Sequence, residues 1–197
     1  MKSKSKAASR PKPRNPTKPG PAKGLVDSVE RIKAWMTAHG AGILVTNLKK
    51  GASAAAIAKA EKQLGFAIPA ELKQLWKLHD GQKAELNGFI GSKDLLSVAE
   101  AVRVRTSLLM ATQRVIEHEE GGEMTPSERD DLWLPFAARD RDMLAVHATS
   151  GRVFLYWEDF TLSSKTVTAW FESYANGIER GNYAVEEGFG DVYLSES

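Results

Sequence analysis

The sequence predicts an α+β domain, and three observations carry that prediction. Helical apolar periodicity fills the first half of the chain, two β-rich runs separated by Ser150-Gly151 follow, and one more amphipathic helix comes after them. At 197 residues the chain can bury the core of one ordinary domain. Cysteine is absent, which excludes disulfides, thiolate metal sites and a cysteine nucleophile, and fits a reducing cytoplasm. No run approaches the ~20 consecutive apolar residues of a membrane span, and the basic start has no apolar stretch behind it. No membrane contact or secretory signal is therefore expected, and the expected compartment is the cytoplasm.

The net charge of +2 conceals a division. Eight of the 27 basic residues and none of the 25 acidic ones fall in residues 1–24, which carry +8 and leave −6 on residues 25–197. Five of the eight prolines are in that first segment too. Like charges and proline predict a disordered basic arm over 1–24, followed by a single acidic domain over 25–197. The arm suits phosphates or an acidic partner, or serves only as a solubilising tail. An acidic domain makes direct nucleic-acid binding unexpected except through the arm.

The domain begins with a helix from Leu25 to Thr37, whose stripe is Val26, Val29, Ile32 and Trp35/Met36 and whose stop is Gly40 and Gly42. GILVTNLKKG reads as a loop or strand. Ser53 caps a second helix that Gly65 ends; Pro69 opens a third that Gly81 closes, which makes an αα corner. Gly88 and Gly91 bracket a short turn or strand. Ser97 and Glu100 form a capping box for a long helix carrying Val98, Val102, Leu108 and Val115, and TPSE at 125–128 is a second box. LWLPFA predicts a strand in which Pro135 marks an edge or a bulge. MLAVHAT and RVFLYWE predict a hairpin turned at Gly151. The last helix shows Val167, Trp170/Phe171, Tyr174 and Ile178 and stops at Gly181. VEEGFGDVYLSES reads as an edge strand or a loose end.

Candidate chemistry is thin. No phosphate-binding loop, dinucleotide turn, zinc-protease helix or nucleophile elbow occurs. Glu61 lies on the apolar stripe of its helix, and no Ser, Thr, Asp or Asn precedes Pro69. The expectation is that Glu61 reaches across the corner to accept N–H bonds of the third helix; a general base is the competing role. His79 continues the series Leu72, Leu75/Trp76, whereas Asp80 beside it points away, so the two do not form a dyad. His118, Glu119, Glu120 and Glu123 form either a solvated acidic loop or a cluster around a divalent ion. Trp133, Trp157 and Trp170 are assigned to the core, with an exposed anchor as the other reading. No enzyme activity, cofactor or metal is expected.

The order E-x-x-L-G-x-x-I-P-x-x-L-x-x-L, a central LLS, W-L-P-F-A, D-x-L-x-V, G-x-V and a closing W-F resembles the SUKH superfamily of SMI/KNR-like domains. The matching positions include Glu61, Gly65, Pro69, Leu72, Gly81, Leu95, Trp133, Pro135, Asp142 and Gly151, and the likeness spans roughly residues 25–180. The family often has Asn where this chain has Asp80, and the helix after SVAE is an elaboration. The resemblance implies an α+β fold with a mixed or antiparallel sheet and no catalysis. Most bacterial members resemble immunity proteins that bind and block a secreted or contact-delivered toxin, often a nuclease. A fungal branch works as a regulatory scaffold in cell-wall synthesis and signalling. The acidic surplus suits the first of these, since it complements a cationic active site. Asp140, Asp142, Glu158, Asp159, Glu186, Glu187 and Asp191 are the expected contacts with such a toxin.

Overall fold

The chain was analysed as a computed structural model, which describes residues 21–83, 88–117, 125–128, 130–157, 160–188 and 191–196. Helix α1 runs over Pro21–Ala38, so it reaches back into the span read as the arm; residues 1–20 lie outside the described set. Its stripe of Leu25, Val29, Ile32 and Met36 is wholly buried. GILVT is not a loop or strand but a five-residue helix, α2 (Gly42–Thr46), which buries Leu44. β-branched preference yields here to packing against α1.

The corner forms as its punctuation predicts. Ser53 Oγ accepts from Ala56 N at 3.1 Å at the start of α3 (Ala54–Leu64), and Gly65 closes it at φ 77°. Pro69 caps α4 (Ala70–Leu78), which buries Leu72, Leu75 and Trp76. His79 is not on the helix: it is extended, at φ −143° and ψ 119°, and half-buried. Gly81 follows at φ 78°, where a Cβ would stand 2.4 Å from Ser97 N.

After β1 (Asp94–Leu95), the box of Ser97 and Glu100 opens α5 (Val98–Glu117), with Ser97 N to Glu100 Oε2 at 2.8 Å and Glu100 N to Ser97 Oγ at 3.2 Å. A single 3₁₀ turn (Pro126–Glu128) precedes β2 (Trp133–Arg139), β3 (Asp142–His147), β4 (Val153–Tyr156) and β5 (Phe160–Ser164). These strands form one sheet in the order β1-β2-β3-β4-β5, and every pairing is antiparallel rather than mixed. The register slips between Pro135 and Ala137, so Pro135 marks a bulge in an inner strand and not an edge. Gly151, at φ 71°, turns the β3–β4 hairpin.

Helix α6 (Val167–Glu179) starts at Thr166, whose Oγ1 accepts from Ala169 N at 3.0 Å. It packs parallel to α1: Gly24 faces Thr168 and Glu172 at one end, and Arg31 bonds Asn176 Oδ1 and Glu179 Oε1 at 2.8 Å each at the other. The C-terminal stretch is neither an edge strand nor a loose end. It is a separate hairpin of β6 (Tyr183–Gly188) and β7 (Asp191–Glu196). The core between these layers holds Trp76, Phe89, Phe136, Phe154, Phe171 and Trp133, all out of contact with water. Both buried indoles are satisfied, Trp76 Nε1 by Leu96 O at 2.8 Å and Trp133 Nε1 by Glu128 O at 2.9 Å.

Candidate protein-binding surface

Glu61, for which a general base is the competing role, and two further carboxylates, Asp80 and Glu71, are engaged by the backbone around helix starts. Glu61 Oε1 accepts from Ile68 N at 2.9 Å and from Lys73 Nζ at 2.8 Å. The Lys73 bond, then the Ile68 bond, holds its carboxyl below the usual range. Asp80 Oδ1 accepts from Val98 N, the first amide of α5, at 2.8 Å. Glu71 takes Thr168 N at 3.1 Å and Thr168 Oγ1 at 2.8 Å at the start of α6. Asp80 and Glu71 thus satisfy first-turn N–H groups of α5 and α6, where the helix dipole favours negative charge, whereas Glu61 bonds Ile68 N just ahead of α4 rather than an amide of the helix itself. His79 Nδ1 meets Lys49 O at 3.0 Å, so His79 and Asp80 serve different partners.

One constellation escapes the sequence. Glu128 has no exposed surface, yet it accepts from Thr125 N at 2.9 Å, Ser150 Oγ at 2.7 Å and Arg152 at 2.6 Å. Burial pushes its carboxyl up, but the Ser150 and Thr125 bonds and the Arg152 charge outweigh burial and leave it below the usual range. Buried His147 contacts Asp130 Oδ1 at 3.0 Å and Ser150 Oγ at 3.2 Å. The Asp–His–Ser order imitates a hydrolase triad. However, the Ser150 hydroxyl proton points at Glu128, so the serine is a linker and not a nucleophile poised on the histidine. These partners lie 3 to 24 residues apart in sequence, and only the Thr125–Glu128 box was legible.

The expected contact residues divide. Asp140, at φ 53°, is exposed at the tip of the β2–β3 turn. Asp142 is half-buried, and an ion pair to Lys93 at 2.6 Å engages it within the fold. Because Met143 pairs with Tyr156, Trp157 falls at the same end of the sheet as these two acids. Trp157 is 60% exposed, in contrast to the core placement expected for it; Trp133 is buried and Trp170 half-buried. Glu158 and Asp159 lie outside the described residues, as do His118, Glu119, Glu120 and Glu123. Glu186 is exposed on β6 and bonded by the Ser195 hydroxyl; Glu187 and Asp191 belong to the same hairpin, their side chains outside the described set. Of the seven acids, only the Asp140, Asp142 and Glu186 side chains lie among the described residues.

Among the described residues no group of three His, Asp or Glu side chains is placed to hold a metal, and no helix is long and apolar enough to cross a membrane. No curated protein matches the chain. A sequence model of the SMI1/KNR4 family (SUKH-1) matches residues 51–176, which takes in the corner, the five-stranded sheet and most of α6 but leaves out α1, α2 and the C-terminal hairpin. With that match spanning well over half of its length, the chain belongs to the SMI1/KNR4 family (SUKH-1).

Proposed function

We propose that this chain is a non-catalytic protein-binding domain of the immunity type, acting in the cytoplasm to neutralise a cognate secreted or contact-delivered toxin by occluding it. Exposed Trp157 carries the reading. A tryptophan that leaves 60% of its surface in water forgoes burial that the fold could use, and tryptophan is the residue most enriched at binding hot spots. Asp140 at the same end of the sheet and the −6 charge of residues 25–197 favour a cationic partner such as a nuclease. Glu61, Glu71, Asp80 and Glu128 are occupied by the fold, which supports a role without catalysis.

The test is co-expression and co-purification with the protein encoded by the adjacent gene. Protection and a stable complex are expected, and loss of both would remove the neutralising role. Trp157→Ala is expected to weaken the complex by about 30-fold or more while leaving the melting temperature unchanged. A regulatory scaffold in cell-wall synthesis or signalling is the second reading, which the +8 arm favours as an extra contact. In that case the chain would co-purify with a partner yet give no protection.

A further inference from the structure

The two edges of the five-stranded sheet are built differently. At one edge, β1 is only two residues long, and charge surrounds it: Asp94 pairs with Arg139 at 3.3 Å, and Lys93, just ahead of the strand, pairs with Asp142 at 2.6 Å. Arg105 engages the backbone beyond it, through Trp133 O at 2.9 Å and Asp131 O. Short strands, charge and a covering side chain are devices that keep an edge from recruiting another strand. At the other edge, β5 runs for five residues as Phe-Thr-Leu-Ser-Ser, with no proline and no charge inside it; Asp159 and Lys165 flank it in the sequence. Among the described residues β5 pairs with β4 alone, and no strand lies on its other side.

The register shows which groups face outward. Tyr156 and Phe160 close a three-residue turn, so that pair carries ladder hydrogen bonds and the next pair, Leu155 with Thr161, does not. The N–H and C=O of Thr161 therefore point away from β4. Phe154 and Leu162 face each other again, and the register then slips, which leaves Ser163 opposite no residue of β4. Among the described residues no backbone bond joins Thr161 or Ser163 to any other element. Both side chains are small, neutral and exposed, so neither obstructs a neighbouring strand. Ser163 Oγ accepts from Trp170 Nε1 at 3.0 Å, which ties this edge to α6. Trp157, 60% exposed, belongs to the turn from which β5 departs. A strand laid on this edge thus meets main-chain donors and acceptors along its length and an indole at one end. Charge selects the occupant: residues 25–197 carry −6, so a second copy sets like charge against like, whereas a cationic protein gains by approach.

We propose that the outer edge of β5 is a strand-addition site, on which an extended segment of the protein partner pairs through its backbone with Thr161 and Ser163 and ends against Trp157. The site presupposes the protein-binding role proposed above, and it selects a segment without proline at the paired positions. Residue-resolved amide exchange on the full chain, alone and with the product of the adjacent gene, reads the edge directly. Alone, the Thr161 and Ser163 amides are expected to exchange far faster than those of β3; in the complex they are expected to slow by about tenfold or more. Thr161→Pro removes an outward donor and is expected to weaken the complex by about tenfold or more, whereas Thr161→Val keeps the N–H and is expected to stay within about twofold. A complex that Trp157→Ala weakens and Thr161→Pro does not, with both amides still exchanging freely, overturns the edge site and leaves the binding role standing. No complex with the unaltered chain overturns both. Protection of these amides in the free chain also overturns the site: independent of protein concentration, it means the edge is closed within the molecule, and rising with concentration, it puts a second copy there. Should Thr161→Pro unfold the domain, exchange at the two amides of the unaltered chain decides.

Discussion

Glu61, Glu71 and Asp80 share one physical role, and it decides how the chain responds to acid and to substitution. Each carboxylate accepts a backbone N–H at or just before the start of another helix: Asp80 and Glu71 in the first turns of α5 and α6, Glu61 at Ile68 on the approach to α4. Glu61→Ala removes a bond from an amide and one from Lys73, and is expected to cost about 1–2 kcal/mol in a urea titration. Glu61 and Glu128 both ionise below the usual glutamate range in the folded state. Their stabilisation is complete above the unfolded pKa of about 4.3 and declines as pH falls through that value towards the lower folded one, because the unfolded chain protonates first. The urea midpoint should therefore drop steeply below ~pH 5, and Glu61→Gln should flatten the drop. Asp80→Asn keeps an oxygen for Val98 N and is expected to leave the melting temperature within a degree or two, whereas Asp80→Ala should lower it. Glu61 was legible in the sequence because it breaks the stripe of its helix next to an uncapped proline. Glu128 and His147 were not, since buried polar clusters gather residues from separate elements and no local spacing encodes them.

At the scale of elements, the sheet shows what a two-residue edge strand requires. Strand β1 pairs with Ala137 and Ala138 of β2, and Leu96 N bonds Phe136 O; among the described residues no strand pairs with the Trp133 end on that side. Arg105 of α5 fills the gap: its Nε donates to Trp133 O at 2.9 Å, its other nitrogen reaches Asp131 O, and its guanidinium lies over the Phe66 ring at 5.2 Å. The planar fork is what matters, so Arg105→Lys should recover little of the stability lost in Arg105→Ala; thermal melts of the two variants would be expected to lie close together. Both variants should also aggregate faster on mild heating, because an open strand edge pairs with other chains. Helix caps, the Pro135 bulge and the β3–β4 turn were legible, since each rests on local backbone chemistry. Helix α2 and the C-terminal hairpin were not. Ile43, Leu44 and Val45 favour a strand until α1 packs on them, and the hairpin's alternation is interrupted by glycines that read as a loose end.

For the whole molecule, the division of charge sets the expected kinetics of association. An acidic domain approaching a cationic partner gains speed from long-range attraction, which salt screens over about 8 Å at physiological strength. With the cationic partner proposed above, the association rate is expected to fall with added salt, and to fall less steeply in the full chain than after removal of residues 1–20, whose positive charge opposes the attraction; stopped-flow titration would separate association from dissociation. The parallel clasp of α1 on α6 has a different consequence, which concerns synthesis. The family match begins at residue 51, yet the stripe of Leu25, Val29, Ile32 and Met36 finds its cover on a helix that ends at Glu179. A nascent chain must hold that greasy surface without its mate for on the order of ten seconds while the intervening residues are made. A chain stalled before α6 is expected to bind hydrophobic-surface probes or chaperones more strongly than the finished protein, although α2 and α4 already cover part of α1.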